Sequence, residues 1–313
     1  MRLPVRPTPL QSARHAVWLV AGIALLALVV LWAGQFGSTF TILREARPAA
    51  LLLSLLPATL APVVHAWRWQ RMLQALDQSL PLRAAVRATV AATLANYILP
   101  GYAWAPVKGL VARQAYGVGL ARSAPTLAVE QALDAGALIF MAGLGYLLVP
   151  DLASEAQFQR PEAALWLGLL VGAALITLAA VRGSRRLDSH LEALRSSGRR
   201  LLGARALYPW LGLLTLARWA SDLACFWLVA AALGMRLDPA RLLLLAGLPA
   251  LAGLVTPIPG GLGVREGGAL AIGGLLGLPA GPLAGAALLH RGVLVAGLPL
   301  ALLASSIALR SRP

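Results

Sequence analysis

Long apolar runs without a single charge constrain this chain more than any other feature. Residues 16–36 and 163–181 contain no Asp, Glu, Lys or Arg. Runs of about 20 apolar residues are long enough as helix to cross a hydrocarbon core of about 30 Å. Because the runs are continuously apolar, they exclude a transmembrane β-barrel, whose short strands alternate apolar and polar positions. Only 12% of the 313 residues are charged and 59% are hydrophobic, whereas soluble domains carry about 25% charge. The class that follows is an all-α integral membrane protein.

Six full spans are expected near 16–36, 49–70, 124–149, 163–181, 208–233 and 281–309. The first follows Arg2, Arg6 and Arg14 and lacks a small-x-small cleavage site, so it reads as a retained span. Two further apolar regions, 84–118 and 240–277, are interrupted in the middle, at Pro100-Gly101 and from Pro257 through Gly261. Each half has about 15–17 residues, or roughly 23–26 Å of helix, which falls short of spanning. A helix–break–helix pair with short arms reads as a re-entrant hairpin, with its irregular backbone buried in protein or facing water.

The charge distribution gives an orientation. With the N-terminus inside, the loop 182–207 falls inside with seven arginines and two acids, together with Arg68, Arg71, Arg83, Arg87, Arg310 and Arg312. The outer loops 37–48, 150–162 and 234–241 balance Arg44, Arg47, Arg160, Arg236 and Arg241 against five acids. This is a positive-inside pattern, and it places both termini in the cytoplasm of a multi-pass protein. The 182–207 loop fits either an amphipathic surface helix or a solvated basic loop. The net charge of +15 is spread between apolar runs, which points to topology rather than to nucleic acid.

The same topology exposes a repeat inside a single membrane domain, residues 1–313. A first unit (about 49–149) and a second (about 208–309) each run span, hairpin, span, in opposite orientations. Gln131 follows Gly101 by 30 residues, as Arg291 follows Gly261 by 30. Inverted repeats with paired helix breaks mark midplane binding sites in many transporters.

Charges inside spans cost about 2.5–3.5 kcal/mol each on insertion scales, yet Glu130, Asp134, Arg218, Asp222 and Arg291 lie in spans, and Lys108, Arg265 and Glu266 in hairpins. They are expected to turn inward and pair. Glu130 and Asp134, four apart, share a helix face and need a nearby cation to remain ionised together; Arg265 and Arg291 are the candidates. The alternative is that these pairs only hold the bundle together. At the breaks, Pro257 and Pro259 stop a helix. Gly260, Gly261 and Gly263 let the chain reverse and leave its amides uncovered. The next arm then presents its N-terminus, with Arg265 one turn in, to an anion. Pro100, Gly101 and Lys108, the one lysine of the chain, repeat the arrangement. The alternative for both tips is a close-packed turn.

Other chemistry finds no support. No Walker-type or G-x-S-x-G motif occurs, and the glycines near 261 sit in no βαβ unit. The single cysteine, Cys225, allows no internal disulfide, and the four histidines, His15, His65, His190 and His290, show no metal-ligand spacing. No cofactor is expected. Trp67, Trp69 and Trp104 read as interfacial belt residues, and Asn96 and Tyr97 either satisfy freed backbone groups or face a cavity.

The stretch TPIPGGLGVREGGAL, followed by AGAALLHRGVLVAGLPL, resembles the C-terminal signature of the flippase-like membrane family that includes the transmembrane part of lysylphosphatidylglycerol synthase/flippase. HAWRWQRML, ANYILPG and VEQALD resemble its earlier motifs, in the same order. The resemblance runs from about residue 10 to 310 and implies a helical bundle that handles lipids in the bacterial inner membrane. It carries Pro259, Gly260, Gly261, Gly263, Arg265, Glu266 and Arg291 over as matching positions, and also Pro100, Gly101, Lys108 and Asp134. The chain departs at Gln131, where the family often has arginine, and at YAWAPVKG, where it often has a Gly-Glu pair. The synthases' soluble aminoacyl-transferase domain is missing from these residues, which implies a non-enzymatic role. The expected partners are membrane lipids with an anionic or phosphate-bearing headgroup, with a homo-oligomer or a lipid-pathway enzyme as further partners. The expected function is lipid translocation. The alternatives are an integral membrane transferase acting on a lipid-linked phosphate and a non-catalytic subunit of a lipid or envelope pathway.

Overall fold

Four helices carry the long apolar runs in the computed structural model, which describes residues 44–99, 104–149 and 188–308. They are α1 (Pro48–Gln74), α4 (Leu120–Leu148), α6 (Tyr208–Ala232) and α9 (Ala280–Ala308). Each contains a stretch long and apolar enough to cross a membrane. Four of the six expected spans are thus present; 16–36 and 163–181 lie outside the described residues. Leu52, Leu56, Phe140, Leu147 and Ile307 stand more than half exposed on these helices, an outer dressing that suits hydrocarbon and would be costly in water. No strand occurs among the described residues.

Both interrupted regions fold as two short helices. The first is α2 (Leu82–Ile98) with α3 (Trp104–Tyr116), and the second is α7 (Pro239–Val255) with α8 (Val264–Leu275). Pro100 and Gly101 lie outside the described residues. The second break is fully described: α7 ends at Val255, Pro259–Gly261 forms a single 3-10 turn, and α8 begins at Val264. Gly260, Gly261 and Gly263 adopt positive φ of 57°, 61° and 76°, a region in which other residues are strained. Glu266, in the first turn of α8, accepts the Gly263 amide at 2.8 Å, capping the helix from within.

The basic segment resolves into a helix, α5 (Asp188–Gly203). It packs on α4 and buries Leu201, leaving Arg199 and Arg200 outward. An exposed Arg200–Asp77 pair at 2.6 Å ties it to the α1–α2 link. Of the two readings open from the sequence, the helix is the one present.

An offset of 157 to 160 residues relates the two halves, with α7 starting 157 after α2 (239 − 82). α6 starts 160 residues after α1 (208 − 48), α8 160 after α3 (264 − 104), and α9 repeats α4 at both ends (280 − 120 and 308 − 148). Packing follows the same correspondence: α4 against α7 is matched by α9 against α2, and α1 against α9 by α6 against α4. The counterparts α1 and α6 run antiparallel. The Arg47 amide, at the start of α1, donates to the Ala232 carbonyl at the end of α6 (2.9 Å), while Trp67 near the end of α1 meets Trp210 near the start of α6 (6.2 Å). Glycines allow the closest contacts between the halves. A Cβ on Gly145 of α4 would come within 2.9 Å of the α7 backbone, and one on Gly247 of α7 within 3.1 Å of the α4 backbone, the small-residue packing by which membrane helices approach.

Candidate functional site

The intramembrane charges gather into two networks. The first is built on α4, where Glu130 and Asp134 share the buried face expected from their spacing. Lys108 of α3 donates to both Glu130 oxygens at 2.9 and 2.8 Å, and its Nζ lies 4.5 Å from the Trp69 ring centroid. His65 Nε2 lies 3.0 Å from Glu130 Oε1. One turn along, Arg68 of α1 grips Asp134 with two parallel bonds of 2.8 and 3.0 Å and donates a third to Thr215 Oγ1 at 2.8 Å. Arg218 (3.3 Å) and Trp219 Nε1 (3.1 Å) of α6 also donate to Asp134. Bidentate arginine–carboxylate pairs are the strongest of these interactions. Arg68, Lys108 and Glu130 are almost wholly buried.

The second network surrounds the glycine turn. Arg291, near the middle of α9, donates from Nε to Glu266 Oε1 at 2.5 Å, from Nη1 to the Gly260 carbonyl at 3.0 Å and from Nη2 to the Gly261 carbonyl at 3.4 Å. The 30-residue spacing from Gly261 to Arg291 is therefore a direct contact: the arginine covers carbonyls that the broken helix leaves without partners. Arg265 takes a different position. Its stem lies in a slot between Gly253 and Gly261, where added Cβ atoms would come within 2.7 and 3.3 Å of its Cγ. Its guanidinium is 3.8 Å from Asp222 Oδ2. His290 Nε2 stands 3.9 Å from that same oxygen. Neither Asp222 Oδ2 nor His290 Nε2 has a hydrogen-bond partner.

Between the networks lies a cavity of about 200 Å³. The end of α2 and the glycine turn meet on its wall. Tyr97, at the end of α2, packs against Gly260 so closely that a Cβ there would come 2.7 Å from Tyr97 Cδ1, and Arg291 sits 5.6 Å from the Tyr97 ring centroid. Lys108, Asp134, Arg218, Asp222, Gly260 and Arg265 all line the cavity. So do Asn96 and Tyr97, which resolves the choice left open for them in favour of the cavity. Glu130, Gly261, Gly263, Glu266 and Arg291 stand behind these residues as their support.

Several expectations need correction. Glu130 and Asp134 are not neutralised by Arg265 and Arg291; Lys108, His65, Arg68 and Arg218 hold them. The reason is register, because α1 and α6 flank Asp134 while the glycine turn keeps Arg291 for its own carbonyls. Arg68, counted among the inner-loop charges, is 0% exposed inside α1. Of the three tryptophans read as belt residues, Trp67 is partly exposed, but Trp69 is wholly buried and donates to Thr126 Oγ1 at 2.9 Å, and Trp104 lines the cavity. Sequence reasoning missed His65, Arg68, Thr215, Trp219 and His290. The available signal was spacing: His65 and Arg68 are three apart and share a helix face, and His290 adjoins Arg291.

Among the described residues, the interior holds Arg68, Lys108, Arg218, Arg265 and Arg291 against Glu130, Asp134, Asp222 and Glu266. With both histidines neutral the balance is one positive charge. Arg265 is the cation of the set without a carboxylate at hydrogen-bond distance.

No curated protein matches the chain. The chain matches a family model, described as the lysylphosphatidylglycerol synthase TM region, over residues 19–301. With nearly the whole length matched, and with apolar helices built to cross a bilayer, the chain belongs to this family of membrane proteins.

Proposed function

We propose that the protein is a lipid translocase that moves a phosphate-bearing headgroup between leaflets through the cavity. The observation that carries this reading is the cavity itself, placed where the two units meet and lined by Lys108, Arg218 and Arg265 beside the glycine turn. The surplus positive charge favours an anionic group in a low dielectric. Arg265 supplies a guanidinium with donors to spare. The family match supports a lipid as the cargo. In this reading α2–α3 and α7–α8 are re-entrant hairpins entering from opposite faces, and the two units form an inverted repeat within one membrane domain. The antiparallel α1–α6 pair, the nearly constant offset and the contact of α2 with the glycine turn support both points. Acyl tails stay in lipid, and rocking of one unit against the other alternates access. The setting is the bacterial inner membrane, with both termini cytoplasmic and membrane lipids as partners.

The test is reconstitution in liposomes with a fluorescent phospholipid, following probe in each leaflet and examining the recovered lipid for products. Movement without a new product is expected. A modified lipid would make the protein a transferase. Neither outcome, across several anionic lipids, would leave the non-catalytic subunit.

A further inference from the structure

Asp222 and Arg265 have a cavity on each side. One is the central cavity; the other is a pocket of about 30 Å³ that they share with Tyr97, Glu266, His290 and Arg291. A space of that size holds one or two waters. Glu266 and Arg291 are bonded to each other, but three other polar atoms around it stand too far apart to bond: Arg265 Nη2 to Asp222 Oδ2 is 3.8 Å and His290 Nε2 to the same oxygen is 3.9 Å. Buried polar atoms without partners are costly, and a natural protein retains them where they serve a function or receive a water or ion. The main contacts in the first network are 2.8–3.0 Å. The second network therefore keeps a carboxylate, an imidazole and a guanidinium around a water-sized gap, at the edge of the central cavity.

We propose that Asp222 and His290 form a proton-binding pair that gates Arg265, so that one proton accompanies each anionic headgroup. This inference rests on the translocase reading. In the empty state ionised Asp222 is the partner of Arg265. A proton entering by way of the cavity settles on Asp222 or His290. The pair loses one negative charge, and Arg265 turns to the headgroup phosphate. Proton and anion then move together, and release of both restores the Asp222–Arg265 pair, so each leg of the cycle leaves the net charge at this site unchanged.

The surroundings concentrate this chemistry on the pair. α8 presents Arg265 and Glu266, but Glu266 is held by Arg291 and the Gly263 amide. α9 presents Arg291, which is tied to the glycine turn. α2 presents Tyr97 and Asn96, and α7 contributes Leu245, Ala246, Pro249 and Ala250. On α6, Arg218 faces Asp134, and Cys225 is buried one turn beyond Asp222. His65 of α1 and Lys108 of α3 are occupied by Glu130, and Asp134 of α4 by Arg68.

Proteoliposomes containing fluorescent phosphatidylglycerol, placed under an imposed pH gradient, test the coupling. One proton per lipid predicts that the probe accumulates in the leaflet facing the alkaline side, its steady-state ratio shifting by up to about tenfold per pH unit. Equal leaflet distribution under a gradient, with rapid movement, overturns the proposal and leaves a passive scramblase. If the wild-type protein moves no lipid, the translocase reading fails, and a binding measurement decides the coupling by itself. Purified protein in weakly buffered detergent is mixed with dihexanoylphosphatidylglycerol and a pH indicator. Uptake of a proton on binding is expected, and its loss in Asp222→Asn, or in His290→Gln if the first variant does not fold. Binding without uptake, uptake that survives both substitutions, or no binding overturns it.

Discussion

The two charge networks are made from the same kinds of side chain, yet they are held in opposite ways. Around Glu130 and Asp134 the partners are side chains from α1, α3 and α6, bonded directly. Around the glycine turn, Arg291 binds Glu266 and backbone carbonyls, Arg265 rests in a glycine slot, and Asp222 Oδ2 and His290 Nε2 have no hydrogen-bond partner. A buried ion pair gains little net stability, but removing one member leaves a charge without a partner. The first network thus fixes how α1, α3, α4 and α6 sit against one another. The second ties Arg291 and Glu266 to the turn but leaves the Arg265–Asp222 contact loose, so the contrast is between a clamp and a moving contact.

The most severe way to break this contrast is Asp134→Ala, which strands the wholly buried Arg68. The expected loss is about 3–5 kcal/mol, measured as the midpoint of thermal unfolding in detergent. A variant that unfolds like wild type would refute the clamp. Next comes Arg291→Ala, which removes the Glu266 pair and the bonds to the Gly260 and Gly261 carbonyls. A loss of about 1.5–3 kcal/mol is expected from the charged hydrogen bonds, with faster proteolysis at the turn. Arg291→Lys should restore part of the stability.

Gly260→Ala probes the contact of α2 with the glycine turn. It forces a side chain into φ 57° and toward Tyr97, for about 1–2 kcal/mol of backbone strain alone. If the contact is as tight as the structure has it, Tyr97→Ala in the same chain should recover part of the loss, read from a double-mutant cycle. Gly253→Ala sharpens the comparison from the functional side. It crowds the Arg265 stem, so stability should fall by about 1 kcal/mol, the low end for overpacking because the stem can shift, while lipid movement falls strongly. Unchanged transport would detach Arg265 from the cargo. The smallest effect belongs to Arg200→Ala, which removes a largely exposed pair with Asp77 and should cost about 0–1 kcal/mol, with transport unaltered.

How much of this was legible in the sequence depends on how far each signal reaches along the chain. Apolar length placed α1, α4, α6 and α9 to within a few residues, and Pro257 through Gly261 located the second break. These are local signals. The inward turn of Glu130 and Asp134 was also legible, because four residues make a little over one helical turn. Which cation would meet them was not. Spacing identifies a face, whereas partnership depends on which helix lies opposite and at what height. Arg68 shows the difference. Read as the charge that ends a span, it belongs to a helix that continues to Gln74, and the carboxylate of Asp134 is what makes its burial tolerable. His290 was missed for a related reason: its place beside Arg291 hints at the site, but nothing in the sequence says that Asp222, on another helix, faces it.

The 160-residue offset carries one more consequence. Counted along the chain, it does not repeat the chemistry: Glu130 corresponds to His290, Gln131 to Arg291, and Asp134 to Leu294. A frame whose halves trade places would, if identically furnished, have two resting poses of equal depth. In the proposed rocking cycle each pose would expose a different set of charges, so one would lie lower even when both sides of the membrane are alike. The bias in such a device is written into its unlike furnishings before any gradient acts on it.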